Sequence, residues 1–198
     1  TDSMQYSGFS TKKQEYPIVI FSPAYAFVKE NYTALLENIA SLGYIVVSID
    51  HPYISGLTQD DQDRIFIVKE REGEIIRAQE KEIKTINNDI KFVIQQIKHL
   101  NNDITSNFYK KFDLDRIALM GHKIGGAAAL DFAQDNSEIK AIVDIDGWNN
   151  RANNPKTNKP TLFLIPQLGK RSCCESVLAM CQGEKDCFVS IIPNITSV

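Results

Sequence analysis

Residues 116–130, RIALMGHKIGGAAAL, decide how the rest of the chain is read. The run from Arg116 to Met120 has the length and composition of a buried strand. Gly121-His122-Lys123-Ile124-Gly125 makes a tight turn, and the small residues Ala127 to Ala129 begin a helix that can lie close to the strand. Strand, turn and helix in this order is the layout of a nucleophile elbow, G-x-S-x-G. Glycines flank the tip because helix and strand backbones approach too closely for a Cβ. Two glycines in five residues are a weak signal alone, but between a buried strand and an alanine-rich helix they are a strong one. The residue at the tip is Lys123.

Working outward, short apolar runs alternate with longer helical patterns. Tyr16–Phe21 (YPIVIF), Tyr44–Ile49 (YIVVSI), Ala141–Ile145, Thr161–Ile165 and Phe188–Ile192 read as further strands. Apolar residues on both faces are what a parallel sheet covered by helices requires. A helix is predicted from Tyr32 to Leu42, stopped by Gly43 in the place of a C-cap glycine. A longer one is predicted from Glu74 to Leu100, where Ile83, Ile86, Ile90, Val93, Ile97 and Leu100 recur three and four apart. That stripe is core packing. The segment Leu57–Arg71 is charged and without a clean period, so it reads as a binding loop, a lid or a plain surface excursion. Residues 149–160, NNRANNPKTNKP, are loop chemistry throughout.

The 198 residues suit one domain with one core. Lys and Arg total 22 against 25 Asp and Glu, a net charge of -3. So mild an acidic balance gives no electrostatic reason to expect nucleic acid or an anionic membrane as partner. No apolar run approaches the roughly 18–20 residues of a membrane span. The opening Thr-Asp-Ser-Met lacks a basic stretch followed by an apolar one, which reads as a cytoplasmic protein or one whose leader has been removed. Cys173, Cys174, Cys181 and Cys187 fall in one segment. They read as local disulfides of an extracytoplasmic protein, against the alternative of buried thiols in the cytoplasm. Their spacing fits no zinc site, and neither metal nor cofactor is expected.

Four stretches carry a resemblance: IVIFSPAYAF (18–27), IASLGYIVVSIDHP (39–52), IALMGHKIGGA (117–127) and IVDIDGW (142–148). Together they resemble the platelet-activating-factor acetylhydrolases, serine esterases of the α/β-hydrolase superfamily, from about Tyr16 onward. The resemblance implies a mainly parallel sheet with helices on both faces, as a single domain over residues 1–198 in which the C-terminal end of the fold is missing or cut short. It also implies a Ser–Asp–His triad in that chain order. Carried over, the nucleophile position falls on Lys123, the acid on Asp146 and the histidine near Thr196. Tyr25 and Ile124 would offer backbone N–H groups to an oxyanion, although Pro23 and Ala24 stand where the family has a histidine–glycine pair.

The three histidines, His51, His99 and His122, all precede Asp146, so these 198 residues hold no triad in the family's order. The resemblance gives His51 and His122 structural places outside the triad. An amine attacking an ester would form a stable amide, which makes Lys123 a poor ester nucleophile. The functional expectation is a hydrolase-fold pseudoenzyme that binds a small acyl or lipid-like ligand or a protein partner. The alternative is a carboxylic-ester hydrolase of the platelet-activating-factor acetylhydrolase type, seen as an inactivated or truncated chain. Lys123 is expected either to reach across to Asp146 or to turn outward to water.

Overall fold

Six apolar runs pair, all in parallel, into one twisted sheet in the computed structural model, which describes residues 15–70, 75–147, 158–166 and 187–192. The strands are β1 (Tyr16–Ser22), β2 (Ile45–Ser48), β5 (Phe112–His122), β6 (Ile139–Ile145), β7 (Thr161–Pro166) and β8 (Cys187–Ile192). They lie in the order β2-β1-β5-β6-β7-β8. Among the described residues three α-helices cover them: α1 (Thr33–Ser41), α2 (Ile75–Asn102) and α3 (Ile124–Gln134). A separate antiparallel pair, β3 (Leu57–Gln59) and β4 (Ile65–Ile67), stands apart from the main sheet.

Side chains alternate across β1 because a strand repeats every two residues. Ile18 and Ile20 point to the face covered by α2 and α3, into a cluster with Ile86, Ile90, Ile94, Ile97, Ala128 and Leu130. Val19 and Phe21 point to the other face, where Leu36 and Ile39 of α1 pack with Tyr32. Helices therefore cover both faces. Each fully buried Ile or Phe contributes about 1.5–3 kcal/mol. The buried stripe of α2 runs through Ile94, which is 3% exposed and was not in the stripe read from the sequence.

Local chemistry sets the element ends. Helix α1 stops where Gly43 takes φ +91° and gives its N–H to Ala40 O at 3.0 Å. Strand β5 begins four residues before the predicted Arg116. Asn101, late in α2, explains this: its amide clamps both backbone groups of Phe112, at 3.0 and 3.2 Å. The hairpin β3–β4 lies in the segment that showed no period. Asp60 closes its turn by accepting the N–H groups of Gln62 and Arg64 at 3.0 and 2.9 Å.

Candidate functional site

The chain leaves β1 toward β2 on one side and leaves β5 toward β6 on the other. At such a switch point the loops part and open a crevice at the carboxyl ends of the strands. The elbow stands at that crevice. Lys123 takes φ 51° and ψ -114° at the N-cap of α3. This is a region side chains rarely adopt, at a cost of order 1–3 kcal/mol.

Main-chain contacts hold the turn. Lys123 N–H donates to Ile145 O at 2.8 Å, and Lys123 O accepts from Ala127 N–H at 3.0 Å. A Cβ on Gly121 would strike the backbone of Gly125, and one on Gly125 would strike the carbonyl of Ser22. A Cβ on Gly126 would strike the Asp144 carboxylate. The glycines let α3 sit directly on the ends of β1, β5 and β6.

The Lys123 side chain is exposed. Asp146 is half-buried at φ 52°, its N–H bonded to Leu164 O at 2.8 Å. The ion pairs of the described residues do not include Lys123 with Asp146, so the expected reach across the site is not made. The outward alternative fits: the raised tip gives a long stem an easy path to water. Ile124 is buried in the first turn of α3, where helix N–H groups lack intrahelical acceptors. Tyr25 lies in the loop after β1, half-buried, its hydroxyl donating to Lys69 O beyond the hairpin. Tyr25 and Ile124 thus stand on neighbouring segments, after β1 and after β5. Thr196, Cys173, Cys174 and Cys181 lie outside the described residues.

His122 is tied behind the tip. Tyr32 Oη lies 2.7 Å from its Nδ1 and accepts the Ala24 N–H at 3.2 Å. Burial holds the imidazole below its usual range; the Lys123 charge adds to this and Asp146 opposes it. A neutral ring accepting the Tyr32 O–H at Nδ1 is the arrangement these groups favour. The histidine thereby locks α1's entry and the Ala24 backbone to the elbow.

Sequence reading missed a second network. His51, 1% exposed, places Nδ1 2.7 Å from Asp89 Oδ2 on α2 and Nε2 3.2 Å from Ser22 Oγ. With Nδ1–H donating to the carboxylate, Nε2 accepts the Ser22 hydroxyl. Ser22, 2% exposed, precedes the Tyr25 loop directly. His51 N–H also donates to Ser55 Oγ at 2.9 Å, and Ile54 O accepts the Ala26 N–H at 2.9 Å. Ser22 and His51 are sealed in the interior, Asp89 is half-buried on α2, and together they brace the loop. The available signal was Asp89 itself, a carboxylate bordering the apolar stripe of α2 between Ile86 and Ile90.

Below the elbow, Asp144 is 2% exposed. Burial pushes its carboxyl up to about 7, the Asp146 charge pushes the same way, and a hydrogen bond from the Gly147 backbone opposes both. Among the described residues no three His, Cys, Asp or Glu side chains are placed to hold a metal. Nor is any described helix long and apolar enough to cross a membrane.

A parallel sheet with helices on both faces and a strained elbow at its carboxyl edge defines an α/β-hydrolase fold. The profile of the family "Platelet-activating factor acetylhydrolase, isoform II" matches residues 1–182, and the chain belongs to that family. Cutinase 1 of Thermobifida cellulosilytica is 26% identical over 156 residues, 79% of this chain and 49% of the cutinase. A probable 1-alkyl-2-acetylglycerophosphocholine esterase of Arthroderma benhamiae is 28% identical over 144 residues, 69% of this chain and 33% of that protein. A ferulic acid esterase from Streptomyces cinnamoneus shares the fold, with a TM-score of 0.71 at 22% identity over 91% of this chain and 51% of its own. The chain spans about half the length, or less, of these relatives.

Proposed function

We propose that this chain keeps the ligand-recognising scaffold of a carboxylic-ester hydrolase of the platelet-activating-factor acetylhydrolase type and binds a small acyl or lipid-like ligand without hydrolysing it. The observation that carries this reading is Lys123 at the tip of an otherwise complete elbow. Backbone donors at Tyr25 and Ile124 do not depend on side-chain identity, so an ester or acid oxygen could still be held there. Asp146 stands in the acid position, and no histidine follows it within these 198 residues. A lysine there supplies a cation in place of a hydroxyl.

The second reading is an active carboxylic-ester hydrolase of the same type, and the esterase names of the relatives favour it. It treats the lysine and the missing histidine as features of an inactivated or truncated chain. Hydrolysis of nitrophenyl acetate by the purified protein, and by Lys123→Ser, separates the two. The binding reading expects both close to background, because an elbow without a base retains at most about 10³–10⁴ over water. Turnover of about 1–10³ s⁻¹ in either protein assigns the second reading. Binding itself is read by the shift in melting temperature on adding a short-chain phospholipid.

A further inference from the structure

Asp144 enters neither the elbow nor the acid position, yet it lies between them. It shares the α2–α3 face of the sheet with Ile142, two residues earlier on β6. Its Oδ1 is buried and has no hydrogen-bond partner among the described residues. That oxygen presses against two backbones: a Cβ on Gly126 of α3, or on Gly147 of the turn after β6, would collide with it. The same turn carries Asp146 at φ 52°. Through Lys123 N–H to Ile145 O, the end of β6 is also joined to the elbow.

We propose that Asp144 is a positioning residue of this site: as an uncharged acid it is the strut between the elbow helix and the Asp146 turn, and on losing its proton it loosens that turn. An orphaned oxygen in a cradle of glycines is tolerable on a neutral carboxyl and costly on a carboxylate. Among the described residues the surroundings supply no compensating cation. α3 presents Gly126; β7 presents Phe163; β5 presents Gly121, with His122 and Lys123 just beyond; and its own strand end presents Asp146, which repels it. Burial and that repulsion bring its titration to about 7, so the strut would release near neutrality. The inference concerns the shape of the site and stands whether or not the site turns a substrate over.

Trp148, the single tryptophan, follows Gly147 in the sequence and is the fluorophore chosen to follow the turn. Its emission, followed between about pH 5 and 9, is expected to titrate with a midpoint of about 7. Asp144→Asn keeps the shape without the proton and should abolish the transition, whereas His122→Gln should leave it in place. A transition that persists in Asp144→Asn, one that vanishes in His122→Gln, or none in the parent protein overturns the proposal. A merely structural role would lower the melting temperature of Asp144→Asn and leave the midpoint where it was. Should Asp144→Asn fail to fold, the infrared carbonyl band of a protonated carboxylic acid decides on the parent protein. It is expected one unit below the midpoint and lost one unit above it; its absence at the lower pH sinks the idea.

Discussion

At Lys123 the backbone is held where a side chain is disfavoured, and the side chain makes no ion pair with Asp146. Two substitutions separate these facts. Lys123→Ala is expected to change unfolding free energy by less than about 0.5 kcal/mol, as at most exposed positions. Lys123→Gly relieves the positive φ, so a gain of up to about 1 kcal/mol in urea unfolding is expected after the entropy of glycine is offset. A loss of about 3 kcal/mol or more in Lys123→Ala would mean the ammonium has a buried partner after all. At Asp144 the sign runs with the proton. Its folded value of about 7 lies above the ordinary 3.8, so the folded state binds more protons between those values. Stability from this group is full below about pH 4, falls as pH rises toward 7 and is flat above it. Asp144→Asn should remove that part of the slope, measured by denaturant unfolding at a series of pH values.

The elements owe their ends and contacts to a few residues each. Gly43 and Gly125 make the contrast clear. A Cβ on Gly43 meets open space, so Gly43→Ala should cost only the strain of its φ +91°, about 1–2 kcal/mol. A Cβ on Gly125 meets the Ser22 backbone, which cannot yield, and Gly125→Ala should cost about 3 kcal/mol or more or prevent folding, seen as a lost or much lower melting transition. His51→Ala is expected to cost about 2–4 kcal/mol, because it strips partners from the buried Ser22 hydroxyl and from Asp89. The main strands and long helices were legible because their residues repeat at the period of the element and are apolar. The hairpin was not. Its large apolar residues Leu57, Ile65 and Ile67 face outward, while Thr58 is buried, which inverts the usual alternation. The His51–Asp89 bond spans 38 residues, and no local spacing marks it.

For the molecule as a whole, parallel topology explains how residues 25, 124 and 146 approach one edge although scattered along the chain: they follow β1, β5 and β6, which are neighbours in the sheet. That convergence was legible once the elbow had set the fold class. The pairing of Lys123 with Asp146 was not, because chain order cannot say whether a flexible stem turns along the crevice or away from it. Ile145 O, Ala127 N–H and three glycines grip the main chain of residue 123 and leave its side chain out of the joint. Scaffold and reactive group are therefore separate inheritances. A lineage can exchange the tip residue in one step without rebuilding the mount, and this chain, once its four native cysteines are replaced, would accept a cysteine there as a handle for chemical labelling at the mouth of the crevice.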